Sequence, residues 1–364
     1  MTIIDTHAHI YPDAIALKAA KSTGTFYDIP MCLDGTLGQL MAHGEAAGIS
    51  RFLVHSVAVT PSRVHSINDY LMRVSAEHPD RLIGFGTLHP DYEDVPGELD
   101  RIKAGGLHGV KLHPDIQTFL LDDRRAVSMF RAMAERGLPA LVHTGDYRYA
   151  YSQPERMAHV LDQVPDLKVI CAHLGGWSVW KEAWRLLAGR PNVWVDTSSS
   201  LYALEPEEAA RIIRRYGTDR AFFGTDYPMW DPEEEMPISA LTGYFSSFVS
   251  SSITMLSALN IQISPPFPTV ENGIILTPFI ICVPISEISL LFSIISIAGG
   301  ETSAHISRLH TITGNPLKQS TIPFPLSASA DSLHSLPLFF MITVYLPSVF
   351  PFLSSIYLII LTTP

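Results

Sequence analysis

Ile3-Ile4-Asp5-Thr6-His7-Ala8-His9 is the first apolar run of the chain, and it ends on two histidines separated by one residue. Side chains on a β-strand alternate between two faces, so the imidazoles of His7 and His9 point to the same side. Neutral imidazole is the commonest metal ligand among side chains, and a pair at this spacing can bind one ion. A single His-x-His pair is weak evidence, but similar signals end several later runs.

Seven more short runs rich in β-branched residues follow, with helical patterns between them. The predicted strands are 3–5, 52–57, 82–87, 109–112, 140–143, 169–172, 193–196 and 221–224. The predicted helices are 37–47, 64–77, 96–104, 124–136, 155–163, 179–188 and 206–216. Strands that alternate with helices predict a parallel α/β sheet, and eight such strands predict a (β/α)8 TIM barrel.

The composition changes sharply after Pro237. Of 25 basic and 36 acidic residues only six lie beyond it, whereas 12 of the 27 prolines do. Residues 1–237 therefore have the composition of a globular domain, and the net charge of −11 for the whole chain argues against a nucleic-acid partner. No charged-then-apolar leader precedes the first strand, so we expect a cytoplasmic protein.

Residues 238–364 are rich in Ser, Pro and large apolar residues, and no period persists in them. Residues 336–361 carry no charge and are long enough to cross a bilayer, although Pro347 and Pro351 interrupt them. We interpret this apolar tail as having no assignable domain, and as the product of a frameshift or a fusion. A membrane anchor and a genuine soluble domain are the alternatives. The helix that begins near Asp231 runs into this tail, so the barrel is expected to lack a normal eighth helix.

The active sites of TIM barrels are built at the carboxyl ends of the strands. Polar residues of ligand type follow five of the predicted strands at that end. They are His7, His9, Lys111, His113, His143, His173 and Asp226.

This ordered set resembles the amidohydrolase superfamily, in particular the amidohydrolase-related branch that includes aminocarboxymuconate-semialdehyde decarboxylase. The resemblance covers residues 1 to about 236. The motifs are Asp5-Thr6-His7-Ala8-His9, Gly109-Val110-Lys111-Leu112-His113-Pro114, His143-Thr144-Gly145, Ala172-His173-Leu174-Gly175-Gly176 and Phe223-Gly224-Thr225-Asp226-Tyr227-Pro228. The resemblance implies a divalent metal, usually zinc, with His173 as catalytic acid/base. The implied metal ligands are His7, His9, His143 and Asp226.

Three histidines, a carboxylate and a water form an open metal site of the catalytic type. Such an ion lowers the pKa of its water to about 7, and Asp226 can accept the water's proton. We therefore expect a hydrolase that acts on a small molecule, which is a carboxylated one if Arg148 serves as a clamp. Decarboxylation of an unsaturated or aromatic acid by the same residues is the alternative. An inactive, truncated barrel is the third possibility.

Four further residues have two interpretations each. Lys111 either bridges to a second metal as a carboxylated lysine or pairs unmodified with a carboxylate or substrate. His113 either touches substrate or shapes the loop at Pro114. Arg148 and Trp177 either line the substrate pocket or pack in surface loops. Asp5 is expected to orient a ligand histidine, residues 11–34 are expected to form a partial lid, and the resemblance implies a homodimer.

Overall fold

We analysed a computed structural model of the chain, which describes residues 3–241, 243, 256–259 and 261 and five strand segments beyond residue 279. The chain divides into two compact units. The first unit is Thr2–Pro268, and the second is Thr269–Pro364 together with Met1. Each unit is described by itself.

The first unit is a closed barrel of parallel strands. Its strands are β1 (Ile4–His9), β2 (Arg51–His55), β3 (Leu82–Gly84), β4 (Gly86–Thr87), β5 (Val110–Leu112), β6 (Ala140–Val142), β7 (Val169–Cys171), β8 (Val193–Asp196) and β9 (Ala221–Phe222). Strands β1 to β3 form one parallel sheet and β4 to β9 another, each in chain order. Phe85 alone separates β3 from β4, so these two segments are one barrel strand. A hydrogen bond of 2.9 Å from Thr6 N to Phe223 O closes the ring, and the predicted TIM barrel is confirmed.

Helices cover the outside of the strands. They are α1 (Asp13–Tyr27), α2 (Leu37–Ala46), α3 (Val64–Glu77), α4 (Val95–Ala104), α5 (Pro114–Gln117), α6 (Arg124–Glu135), α7 (Pro154–Gln163), α8 (Trp180–Leu187), α9 (Pro206–Tyr216) and α10 (Pro232–Leu241). All seven predicted helices are present, with α1, α5 and α10 in addition. A helix thus does follow the last strand, although Pro237 lies inside it and removes one backbone hydrogen bond.

Alternation along the strands creates two apolar layers. Side chains such as Val54 and Val142 face the helices, whereas Leu53, Leu141 and Ile170 face the barrel axis. A strand in such a barrel is buried on both faces, which explains why the predicted runs are continuously apolar rather than alternating.

Three residues of the apolar tail belong to the inner layer. Leu256, Leu259 and Ile261 are buried in the same cluster as Ile4 and Trp194. The ammonium of Lys168, which precedes β7, donates a hydrogen bond of 2.6 Å to the carbonyl of Ala258. These tail residues therefore lie at the amino ends of the strands, opposite the predicted active site, and the compact unit extends beyond residue 237.

Helix α10 buries an acidic side chain, Glu235, of which only 3% is exposed. Burial, with a smaller contribution from Asp226, raises its pKa from 4.5 to about 8. A raised folded-state pKa contributes stability below pH 4.5 that is lost as the pH rises through 8. We therefore expect Glu235→Gln to stabilise the protein by about 3–5 kcal/mol at pH 9 and to change little at pH 4.5.

Urea unfolding at several pH values tests this expectation. The exposed Glu182 provides a control, since Glu182→Gln leaves the buried Glu235 carboxyl in place and should keep the fall in stability that this carboxyl causes. A Glu235→Gln variant that loses stability between pH 4.5 and 8 as steeply as the wild type would contradict the assignment.

The second unit contains one sheet of five described strands. They are β10 (Ile280–Pro284), β11 (His305–Thr311), β12 (Thr321–Ile322), β13 (Phe339–Tyr345) and β14 (Ile356–Leu361), in the order β10-β14-β13-β11-β12. The pair β10 and β14 is parallel and the other pairs are antiparallel. Among the residues with a described structure, no helix is both long and apolar enough to span a bilayer.

Candidate metal centre

All seven rim residues predicted from the sequence lie at the carboxyl ends of barrel strands, and all are buried except His9, which is partly buried. His7 is oriented by a carboxylate at the end of β8. Its Nδ1 lies 2.9 Å from Asp196 Oδ2 and 3.0 Å from Ser198 Oγ. Burial opposes ionisation of Asp196, but the neighbouring His7 and its hydrogen bonds hold the pKa of this carboxyl at about 2. Because the Asp196 carboxylate accepts the Nδ1 proton, the lone pair of His7 Nε2 points into the site.

Asp226 lies against both histidines of the first strand. Its Oδ1 is 3.4 Å from His7 Nε2 and 3.4 Å from His9 Nε2. Donor atoms around a tetrahedral ion with bonds of about 2.0–2.2 Å lie roughly 3.4 Å apart, so these three atoms have the spacing of a shared cation. Burial works against its charge, but the surrounding imidazoles hold the pKa of Asp226 well below its ordinary value.

His173 and His143 form a second pair beside Asp226. His173 Nε2 is 2.9 Å from His143 Nδ1, and His173 Nδ1 is 4.0 Å from Asp226 Oδ2. The carbonyl of Ser198 lies 3.0 Å from His173 Nδ1, which therefore carries the proton in the neutral ring. Burial lowers the pKa of His173 to about 4, so near pH 7 its Nε2 accepts rather than donates a proton.

His143 also faces a buried carboxyl group. Its Nε2 has no hydrogen bond and lies 3.6 Å from Asp115 Oδ2, while the Asp115 side chain is held by Ser152. His113 stacks on His143, with ring centroids 4.0 Å apart and an interplanar angle of 9°. His113, Asp115 and His143 each offer a donor atom within 4.8 Å of the other two, so they form a donor group of their own beside that of His7 and His9.

His113 has the loop-shaping contacts that one interpretation predicted. Its Nδ1 accepts a hydrogen bond from Ile116 N at the start of α5, and its Nε2 is 2.5 Å from the hydroxyl of Tyr27. Lys111 is fully buried, with its Nζ 2.9 Å from His7 Nε2, and burial lowers its pKa to about 8. The Lys111 amine therefore lies directly beside one of the predicted metal-binding atoms, His7 Nε2.

Arg148 and Trp177 hold the segment after β1 over the rim. The guanidinium of Arg148 bonds to the carboxylate of Asp146 at 2.7 Å and to the carbonyl of Phe26 at 2.8 Å. Trp177 is buried, with its ring 5.3 Å from that of Tyr27. Both residues thus secure the end of α1, the expected lid, and the principal contacts of Arg148 are within the protein.

Several residues of the site were not predicted from the sequence. Asp196 rather than Asp5 orients His7, because Asp5 instead accepts hydrogen bonds from Thr225 and from the His7 backbone. His55 ends β2 beside His9. Both Asp196 and His55 lie in predicted strands near their carboxyl ends, so the rule that found His143 would have found them. Tyr27 and Asp115 carry no such signal.

The donor set fits a divalent cation. Desolvation lowers the pKa values of His7, His9 and His143, so they are neutral donors near pH 7. Asp226 among them is ionised, and a buried carboxylate needs a compensating positive charge. Zinc and similar ions in catalytic sites are bound by histidine and carboxylate donors of this kind.

A family model described as amidohydrolase matches residues 4–243. The chain belongs to the amidohydrolase family. This finding confirms the resemblance inferred from the five motifs. A comparison with curated proteins gave no match.

Several solved structures share the barrel fold. An uncharacterised TIM-barrel protein from Bordetella bronchiseptica superposes with a TM-score of 0.58 and 20% identity, over 71% of this chain and 100% of its own. For 5-carboxyvanillate decarboxylase from Sphingomonas paucimobilis the TM-score is 0.55 and the identity is 15%. The match covers 72% of this chain and 99% of the decarboxylase. A dihydroxybenzoic acid decarboxylase from Polaromonas with bound manganese and 2-nitroresorcinol gives a TM-score of 0.53 and an identity of 16%. The match covers 71% of this chain and 97% of that decarboxylase. At these identities the likeness shows the fold.

Proposed function

We propose that this amidohydrolase is a metal-dependent enzyme that removes the carboxylate from a small aromatic or unsaturated acid. One observation carries the metal dependence. The ionised Asp226 lies 3.4 Å from the Nε2 atoms of two neutral histidines at the rim where TIM-barrel enzymes act.

The cation would be held by His7, His9 and Asp226, with His143 as the further ligand that the family motif implies. Zinc is the expected ion, and manganese is an alternative because a structurally similar decarboxylase contains it. When bound, such an ion polarises a substrate oxygen and lowers the pKa of a coordinated water to about 7.

Two observations favour decarboxylation over hydrolysis, which the sequence alone ranked first. Two of the structures that share this barrel are decarboxylases of aromatic acids. In addition, the aromatic ring of Tyr27 lies beside the His113 and His143 pair and packs against Trp177, which suits a planar substrate. In the reaction the bond from the ring to the carboxylate breaks, CO2 leaves, and the ring carbon that keeps the electron pair takes a proton.

His173 is the proposed proton carrier. Its Nδ1–H is fixed on the Ser198 carbonyl, and its Nε2, which lies 2.9 Å from His143 Nδ1, is the atom that takes up a proton and returns it to the substrate. Asp226 beside it stabilises the imidazolium that forms. Lys111, whose amine lies beside the proposed metal ligand His7, would contact the substrate carboxylate as an ammonium group.

Hydrolysis of a C–N or C–O bond is the second candidate, favoured by the family description itself. In that reaction water adds to the substrate, and both product groups remain in solution.

Product analysis separates the two reactions. We expect zinc- or manganese-loaded protein to release CO2 from dihydroxybenzoates or 5-carboxyvanillate, with no oxygen from ¹⁸O-labelled water in the organic product. Uptake of ¹⁸O with the carboxylate retained would instead establish a hydrolase. Protein that binds no metal and turns over no member of an acid and ester panel would support the inactive barrel.

A small-molecule substrate, a homodimer and a cytoplasmic location stay predictions. We expect the protein to bind a membrane only if the apolar tail is a membrane anchor.

A further inference from the structure

His55 is a buried histidine whose two ring nitrogens both lack a hydrogen-bond partner. Buried polar atoms in native proteins are nearly always paired. An imidazole with two unpaired nitrogens therefore indicates a ligand that binds one of them. His55 is the last residue of β2, at the rim where the candidate metal centre lies.

The strand register places His55 against that centre. Parallel pairing of β1 and β2 sets His9 directly beside His55, and both side chains point into the barrel mouth. The His55 ring lies 4.3 Å from that of His9 and 4.8 Å from that of His7, edge-on to each. One donor atom from each of these three histidines lies within 4.8 Å of the other two, a spread that small ring rotations can close around one ion.

The charges around His55 agree with a neutral donor. Burial lowers its pKa well below the ordinary value, and the nearest titratable groups, His9, Lys111 and His7, lower it further. No carboxylate binds its ring among the described residues, so no protein group fixes a proton on either nitrogen.

We infer that His55 is a further ligand of the metal that His7, His9 and Asp226 hold, an assignment that rests on the proposed metal-dependent function. His55 then supplies the third imidazole from neighbouring strands. If His55 had a purely structural role, it would act through packing contacts alone. An apolar residue of similar size could then replace it.

The test compares His55→Leu and His55→Gln with the wild type and with His108→Leu. His108 precedes β5 at the opposite end of the barrel, so it is a matched control. Zn²⁺ affinity is measured by competition with a chromophoric chelator, and thermal unfolding is followed with and without Zn²⁺. We expect both His55 variants to bind Zn²⁺ at least about 100-fold more weakly than the wild type. Loss of a group that only orients a metal ligand lowers metal affinity by less, about 10–100-fold.

The metal-free proteins give the second readout. Because His55 has no hydrogen bond to lose, metal-free His55→Leu should melt no lower than the metal-free wild type, while the gain from Zn²⁺ is reduced. Equal Zn²⁺ affinity in the wild type and both His55 variants would overturn the inference and leave the metal site intact. A wild type that binds no Zn²⁺ or Mn²⁺ would instead refute the proposed function.

Discussion

Asp226→Asn is expected to remove most metal binding and to lower activity by at least about 10³-fold, because a buried charge-stabilising group of this kind contributes 10²–10³-fold or more. Asp226 supplies the negative charge at the centre, 3.4 Å from His7 and His9. An amide in its place keeps the shape but offers a neutral, weaker donor. Metal content by elemental analysis and turnover of the metal-saturated protein measure the two losses.

The choice of asparagine avoids a backbone artefact. Asp226 has a φ of 62°, a left-handed conformation that asparagine tolerates and alanine does not. We therefore expect the metal-free variant to melt close to the metal-free wild type. Asp219→Asn, at an exposed carboxylate away from the rim, is the control and should keep full metal content. Full metal occupancy in Asp226→Asn would refute Asp226 as a ligand.

His173→Asn is expected to lower kcat by about 10²–10⁴-fold while leaving metal content unchanged, the range for loss of a positioned proton-transfer group. The Nε2 of His173 lies 2.9 Å from His143 Nδ1, and its Nδ1 is held by the Ser198 carbonyl. Without this ring no positioned imidazole exchanges a proton with the substrate at that point. Steady-state kinetics on metal-saturated protein, with metal analysis of the same samples, provide the measurement.

Asparagine again suits the backbone, since His173 has a φ of 61°. His89→Asn serves as the control, because His89 is a buried histidine whose Nε2 contacts the Gln117 carbonyl instead of the metal centre. Loss of metal in proportion to loss of activity would show that His173 is a ligand rather than a proton carrier. His7, His173 and Asp196 each have a donor atom within 4.8 Å of the other two, so His173 is close enough to act as a ligand.

The barrel was predictable from sequence because each strand is buried on two faces and each helix on one. Helix α1 was not predicted, and the reason is visible in what it buries. Its inward residues are Ala16, Ala20 and Gly24, small side chains that give a weak helical period. The burial of Leu256 and Leu259 was equally hidden, since the surrounding tail has no period and the contact depends on the closed barrel being open at the amino ends of its strands.

The site was predictable only where a motif carried it. His7, His9 and Asp226 end apolar runs, and the structure brings their donor atoms together. Arg148 had two interpretations, a residue of the substrate pocket or one that packs in a surface loop, and its guanidinium is engaged by Asp146 and the Phe26 carbonyl. Such pairings depend on how the loops fold over the rim, which local patterns do not specify.

The sequence by itself determined which strands form, their order, and the residue types that end them, because strand alternation and helix period are local properties. Only the tertiary structure decided which of those side chains meet. His9 lies beside His55 because of the register of two strands, and Asp196 orients His7 across 189 positions of the chain. Distances of this kind are set by closing the barrel, and no stretch of sequence encodes them on its own.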